Sequence, residues 1–146
     1  MKRIITILLF VTICVIAHAN WLEVADTSDY IVFINNDINI DEYGHHLVWF
    51  KYVPRTHSLT KIRKDNYREY KKKGYLKYTH HMNLYKYNLR ENKSMLLTTT
   101  YYASEEPIET INYNYISIWQ YPIPESLNEA MMEAVKLLVK MQESNY

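Results

Sequence analysis

The sequence predicts an α+β fold in which a β-sheet of about six strands carries a C-terminal α-helix on one face. Two observations support this class. Short runs rich in β-branched and aromatic residues alternate with clusters of turn-forming residues between positions 21 and 121. A helix-start signal and an apolar stripe at helical spacing then occupy positions 126–141. The strands therefore come first along the chain and the helix comes last.

The N-terminal segment has the pattern of a cleaved secretory signal, so we expect the protein to be exported. Lys2 and Arg3 precede an apolar run at positions 4–16, which is shorter than the roughly 20 residues needed to span a bilayer. The small residues that precede position 20 fit cleavage after Ala19. The sequence thus predicts a signal peptide at residues 1–19 and one mature domain at residues 20–146.

Cys14 is the only cysteine, and its context argues against lipidation. A lipoprotein signal requires a small residue before the modified cysteine, whereas Ile13 is bulky and branched. Cleavage after Ala19 would leave a mature chain without disulfides, thiol nucleophiles or thiolate metal sites. We therefore expect side-chain packing alone to hold the domain together.

The mature chain is close to neutral, which gives no global attraction toward nucleic acid or anionic lipid. The 17 basic residues of the full chain include Lys2 and Arg3, so 15 remain beside the 16 acidic residues. A hydrophobic content of 48% also argues against a disordered chain.

The first half of the mature chain predicts short strands followed by a central one. Residues 21–25 and 30–35 are β-rich and are separated by turn formers, and residues 38–40 continue as a short extended piece. Gly44 lies in the next turn, where a positive φ angle suits a glycine. Residues 46–53 then place large apolar side chains on both faces, so we expect this strand to be central.

Residues 55–74 form a basic, variable segment that supports three interpretations. Eight basic residues and two acidic ones lie between positions 61 and 77, with tyrosines interleaved. The pattern suits single-stranded nucleic acid, but export favours a solvated linker whose tyrosines pack on the sheet. Contact with an acidic surface polysaccharide or lipopolysaccharide is the third interpretation. The candidate partner-binding residues are the eight cations: Lys61, Arg63, Lys64, Arg68, Lys71, Lys72, Lys73 and Lys77.

A long hairpin is predicted after the basic segment. Residues 75–89 and 94–103 are extended runs joined by a turn. Apolar residues change from even to odd positions between Leu84 and Tyr85, which is typical of a β-bulge. The remaining extended runs before the helix are residues 108–115, expected to form a strand, and residues 116–121.

The final helix is predicted to begin with a capping box. Ser126 and Glu129 are three residues apart, so each side chain can satisfy a free backbone N–H group. The apolar residues that follow recur at helical spacing and form one stripe, which we expect to pack against the sheet. The stripe consists of Leu127, Ala130, Met131, Ala134, Leu137, Leu138 and Met141.

The residue types that carry chemistry do not form a recognisable catalytic, cofactor or metal site. The only two glycines are far apart, which excludes glycine-rich phosphate-binding loops. The members of the pairs His45-His46 and His80-His81 point to opposite faces of a strand, so neither pair can chelate one metal ion. One histidine of the first pair could still lie beside one histidine of the second pair on another strand. We therefore expect a protein without enzymatic activity, cofactor or metal.

Several segments resemble the surface-adhesin protein E family of Gram-negative bacteria. The matching residues run in order along the chain. They are residues 20–24 with Trp21, residues 30–38, Gly44 with the strand that contains Trp49, Tyr101-Tyr102, and Trp119 with residues 122–130. The chain lacks the cysteine pair that often joins helix to sheet in this family, because residues 88–90 and 139–140 contain no cysteine.

The resemblance implies an antiparallel sheet and a location in the periplasm or at the outer membrane or cell surface of a Gram-negative bacterium. It implies adhesion to a host extracellular-matrix or bacterial surface macromolecule, and it leaves a homodimer open because family members are sometimes dimeric. The leading hypothesis is thus a non-enzymatic envelope protein that binds a surface macromolecule and not nucleic acid. The alternative is a periplasmic accessory or structural domain without host contact.

Overall fold

The computed structural model describes residues 21–113 and 116–144 of the 146-residue chain. The predicted signal peptide, its cleavage point and Cys14 lie outside the described residues. Within those residues, no helix is both long enough and apolar enough to cross a membrane.

The described part of the chain consists of one antiparallel sheet of seven strands, two α-helices and a short 3-10 helix. The strands are β1 (Trp21–Asp26), β2 (Tyr30–Asn35), β3 (Asn39–Ile40), β4 (His46–Pro54), β5 (His80–Asn88), β6 (Lys93–Ala103) and β7 (Glu106–Asn112). The helices are α1 (Thr56–Tyr70), the 3-10 helix (Lys73–Lys77) and α2 (Leu127–Glu143). The strand order is β1-β2-β4-β5-β6-β7, and β3 pairs with the start of β4. The predicted α+β fold is confirmed.

Strand β4 lies between β2 and β5, as its two apolar faces predict. Successive side chains of a strand point to opposite faces, so Val48, Phe50 and Tyr52 share one face, where they are buried. Trp49 points to the other face and is half-buried. Gly44 takes a φ of 79° in the turn before β4, as predicted. The core thus lies on one side of a central strand.

Helix α2 packs on the buried face of the sheet, with a stripe that is rotated slightly from the predicted one. Met131, Met132 and Val135 are fully buried in the core cluster of the sheet. Leu138 is partly buried against the same cluster, whereas Leu137 is 41% exposed. The predicted docking of the helix is confirmed, although Met132 and not Leu137 faces the core.

The start of α2 departs from the predicted capping box in one hydrogen bond. The Ser126 hydroxyl accepts the backbone N–H of Glu129, as predicted. The Glu129 carboxylate, however, accepts the N–H of Glu125 at 2.7 Å instead of the N–H of Ser126. Both side chains still satisfy free backbone donors at the helix start.

The interpretation of residues 55–74 as a solvated linker is wrong, because most of this segment forms α1. Arg55 precedes the helix without a side-chain cap, and no acidic residue lies in the first turn, so the usual start signals are missing. The last residue of the helix is Tyr70, and Lys71 caps it. The backbone of Lys71 is left-handed (φ 57°), and its N–H donates to the Tyr67 carbonyl.

The β5–β6 hairpin has the predicted bulge, although β5 starts at His80 and not near position 75. The delay arises because the 3-10 helix precedes the strand. The pairing register shifts between Leu84 and Tyr85, at the predicted position. Leu84 pairs with Thr98 and Tyr85 pairs with Leu96, so the extra residue of the bulge is Leu97. The bulge therefore belongs to β6 and not to β5.

Residues 116–123, which we call the strap, run along the free edge of β6 and do not form a strand. Gln120 pairs with Ser94 through two backbone hydrogen bonds of 2.9 and 2.8 Å. The strand predicted at residues 108–115 is β7, which begins two residues earlier than predicted. Residues 114 and 115 lie outside the described residues. The strap therefore covers the part of β6 that β7 leaves unpaired.

Candidate functional site

Three of the eight predicted partner-binding residues form a line on the solvent face of α1, which we call the cationic stripe. It consists of Lys61, Lys64 and Arg68, all of them exposed. Residues three or four apart lie on one face of a helix, and a helix rises about 1.5 Å per residue. The stripe is therefore about 10 Å long. His57, which is also exposed, continues the line four residues before Lys61.

The cations of the stripe interact with the described carboxylates only at long range, as Lys61 does with Asp29. None of its three cations forms an ion pair with a described residue. Asp65 and Glu69 are the only acidic residues of α1, and both are exposed. A rotation of about 100° per residue places both carboxylates along one flank of the stripe. The other flank of the helix surface contains no carboxylate from α1.

Two hydrogen bonds fasten α1 to the end of the sheet, so the stripe has a fixed position. The Ser58 hydroxyl donates to Asp29 Oδ1 at 2.7 Å, and this bond lowers the pKa of the Asp29 carboxyl. Arg63 Nε donates to the backbone carbonyl of Tyr78 at 2.9 Å. Arg63, which is half-buried, therefore points toward the protein and is not part of the cationic stripe.

Lys72 is also engaged within the protein. Its ammonium group forms an ion pair with Glu109 of β7, and the Tyr75 hydroxyl donates to the other Glu109 oxygen at 2.9 Å. The hydrogen bond from Lys72 is the main cause that lowers the pKa of Glu109. Lys71 and Lys73, on either side of Lys72, are exposed and extend the positive surface beyond the end of the stripe.

Lys77 has different surroundings from the stripe. It lines an open surface depression together with Thr79, Ser104, Glu105 and Glu106. The two carboxylates outnumber the single positive charge there. Of the eight predicted residues, five thus form a cationic surface: Lys61, Lys64, Arg68, Lys71 and Lys73.

Three of the four tyrosines that alternate with the basic residues, Tyr70, Tyr75 and Tyr78, pack against other rings of the protein. Tyr75 and Tyr78 are fully buried, and Tyr70 stacks on Tyr75 with ring centroids 5.1 Å apart. The rings of Tyr75 and Tyr78 also contact Tyr101 of β6. Burial raises the pKa of the Tyr75 and Tyr78 phenols, so both remain neutral. Rings held in this way are not free to stack on bases, as recognition of single-stranded nucleic acid requires.

The members of the second histidine pair point to opposite faces of β5, as the alternation of a strand predicts. His80 stacks on Tyr102 at 4.9 Å between ring centroids, whereas His81 stacks with Tyr52 at 4.7 Å and with Tyr78 at 6.2 Å. Burial lowers the pKa of His81 to about 4, so it is a neutral core residue. Among the residues that the structure describes, no group of three or more His, Cys, Asp or Glu side chains could hold a metal ion.

His57, which continues the line of the cationic stripe, is not among the predicted partner-binding residues. The spacing of four, three and four residues through His57, Lys61, Lys64 and Arg68 is a helical pattern that could have identified it. The segment lacks the usual helix-start signals, so its sequence predicts a linker in spite of this spacing. A charged helix with few apolar residues gives little other signal.

Fold and surface together define the class: an α+β domain with an antiparallel sheet and an exposed cationic helix. A scan against protein-family models found no match, and searches of the curated proteins and of the solved structures found none either. The resemblance to the surface-adhesin protein E family therefore stays a prediction.

Proposed function

We propose that the protein is a non-enzymatic envelope protein that binds an anionic surface macromolecule through the cationic stripe. The observation that carries the proposal is the line of three exposed cations, none of them ion-paired with a described residue, on a helix that is fastened to the sheet. The exposed Lys71 and Lys73 extend this surface at the end of α1.

A linear arrangement of charges suits a polymer better than a single small anion. The successive cations of the stripe are separated by about 4.5 and 6 Å along the helix axis. An acidic polysaccharide, or the phosphate groups of lipopolysaccharide, can present several negative charges to such a line at once. Each exposed ion pair contributes only about 0.2–1 kcal/mol, so several must form together for useful affinity.

The first experiment measures binding of the purified protein to two immobilised probes, the sulfated polysaccharide heparin and bacterial lipopolysaccharide. The test variant is Lys61→Gln/Lys64→Gln/Arg68→Gln, which removes the stripe. The control variant is Lys77→Gln/Arg90→Gln/Lys140→Gln, which removes the same charge from exposed positions elsewhere. Binding to heparin alone favours a host matrix ligand, and binding to lipopolysaccharide alone favours a bacterial one.

The stripe variant should bind about tenfold more weakly than wild type, because three exposed ion pairs are lost. The control variant should retain most of the affinity. Wild-type binding should weaken as salt rises, because exposed charges are screened over about 8–10 Å at physiological ionic strength. Equal losses in both variants, or no wild-type binding to either probe at low salt, would overturn the proposal.

Protease treatment of intact cells separates host contact from a purely periplasmic role. A surface-exposed adhesin should be degraded, whereas a periplasmic accessory domain should survive until the outer membrane is permeabilised. Survival on intact cells would exclude a host ligand. The stripe would then act on a ligand inside the envelope, and only the lipopolysaccharide arm of the binding test would be relevant.

A further inference from the structure

Exposed apolar side chains are concentrated at one end of the sheet, which we call the apolar end. Six large apolar side chains of the described residues are 65% to 74% exposed, and all six belong to the β3–β4 region or the strap. They are Ile40, Tyr43, Ile116, Ile118, Tyr121 and Ile123. Scattered apolar residues are normal on a protein surface, but a contiguous group of this kind marks an interaction site.

The strap is held in a fixed position, so its apolar side chains do not belong to a loose loop. The Trp119 ring lies 5.3 Å from the His45 ring, which in turn lies 6.2 Å from the Tyr43 ring. On β6, Lys93 Nζ is 5.0 Å from the centroid of the Trp119 ring. Two backbone hydrogen bonds fix Gln120 to β6. The strap and the β3–β4 turn are thus joined into one surface.

The N-terminal segment joins the sheet at the same end. Trp21, the first residue of β1, pairs with Asn35 at the end of β2, from which the chain continues to β3. Trp21 therefore lies at the end of the sheet where β3 and the start of β4 lie. Only positions 17–20 separate Trp21 from the predicted apolar run of the signal peptide. The five Cα–Cα steps from residue 16 to Trp21 span at most about 18 Å.

The short connection has a consequence for orientation during export. While the predicted signal peptide occupies the bilayer, the start of β1 stays within about 18 Å of its apolar run. The end of the sheet that then faces the lipid is the apolar end. Helix α1 follows Pro54 at the other end of β4, so the cationic stripe lies toward the opposite end of the sheet.

We infer that the apolar end docks on a lipid bilayer, with the strap side chains inserted at the boundary between headgroups and acyl chains. Isoleucine supplies apolar area, and tyrosine and tryptophan prefer the membrane–water interface. Exposed charges of both signs, such as Glu42 and Arg90, lie in turns at this end of the sheet. Binding should therefore depend on apolar insertion and not on anionic lipid. This inference does not rest on the proposed function.

The test is flotation with phosphatidylcholine vesicles, which carry no net charge. The protein is purified in the form that cells export, and intact-mass measurement identifies its N-terminal residue. The strap variant is Ile118→Ser/Ile123→Ser. The control variant is Leu76→Ser/Leu137→Ser, which removes two exposed leucines outside the apolar end. Thermal unfolding of both variants checks that they fold, and all proteins compared carry the same N-terminus.

The strap variant should partition onto the vesicles at least about tenfold more weakly than wild type, and the control variant within about twofold of it. Raising the salt concentration should leave wild-type flotation unchanged, because the interaction is apolar. The stripe variant, Lys61→Gln/Lys64→Gln/Arg68→Gln, should float like wild type, which separates this test from that of the proposed function.

Three outcomes would overturn the inference. They are absence of the wild-type protein from the vesicle fraction, flotation of the strap variant equal to that of wild type, and an equal loss of binding in both variants. Sedimentation velocity without lipid addresses the competing occupant, a second copy of the chain. A wild-type dimer that the strap variant converts to a monomer would assign the apolar end to self-association and refute docking on a bilayer.

Discussion

Replacing Met132 with alanine tests whether buried apolar packing holds α2 on the sheet. Met132 is 1% exposed and belongs to the same core cluster as Phe50. Leu137, on the same helix, is 41% exposed and provides a matched control. Methionine, leucine and alanine all favour helices, so the two replacements differ mainly in the burial of the side chain that is removed.

The expected loss of stability follows from the burial. Met132→Ala removes roughly three methylene-sized groups from the core, and each contributes about 0.8 kcal/mol of transfer free energy. Incomplete collapse of the cavity adds to this loss, so the free energy of unfolding should fall by about 2–5 kcal/mol. At roughly 4 °C per kcal/mol for a domain of this size, Tm should fall by about 8–20 °C. Leu137→Ala should cost less than about 1 kcal/mol.

Urea unfolding followed by far-ultraviolet circular dichroism measures these differences. Leu138→Ala, at a partly buried position, should have an effect between those of Met132→Ala and Leu137→Ala. Equal losses for Met132→Ala and Leu137→Ala would refute the described orientation of α2. No loss for either would show that the helix is not docked on the sheet.

Three further measurements test single features of the chain. Arg63→Gln should lower the free energy of unfolding by about 1.5–3 kcal/mol, since a charged hydrogen bond to the Tyr78 carbonyl is lost; thermal unfolding identical to wild type would contradict this. Folding lowers the pKa of His81 from 6.5 to about 4. Between these values the unfolded state therefore binds a proton that the folded state does not, so stability should fall as pH falls, by up to about 1.4 kcal/mol per pH unit. His81→Phe should reduce that fall in urea titrations, and an unchanged pH dependence would exclude His81 as its source. Intact-mass measurement should find a mature chain that begins at Asn20, whereas an acylated chain that begins at Cys14 would show that the predicted cleavage is wrong.

The strands and α2 were predictable because their signals are local. In β4, large side chains alternate along nine residues, and a strand with two apolar faces must lie inside a sheet. The Ser126 cap of α2 is likewise encoded within four residues. The exact face of α2 was not predictable, because Met132 and Leu137 differ in burial only through the position of the sheet beneath them.

Helix α1 could not be predicted in the same way, because distant partners stabilise it. Arg55 supplies no side-chain cap, and the polar contacts of Ser58 and Arg63 involve residues outside the helix, Asp29 and Tyr78. The eight basic residues were visible in the sequence, but their separation into exposed and engaged groups depends on these long-range contacts. Helical spacing alone is sufficient to place only the residues of the cationic stripe on one face.

The ends of β4 and β5 that flank α1 are neighbours in the sheet, since Tyr52 pairs with His81. A short turn could join them, so residues 55–79 are in effect an insertion into a hairpin. The free-energy cost of closing a loop grows only with the logarithm of its length, so an insertion of this size disturbs the sheet little. Its surface charges can change while Tyr75 and Tyr78 still fill the core. Substitutions in this insertion can therefore change the surface charge of the domain without changing the register of its strands.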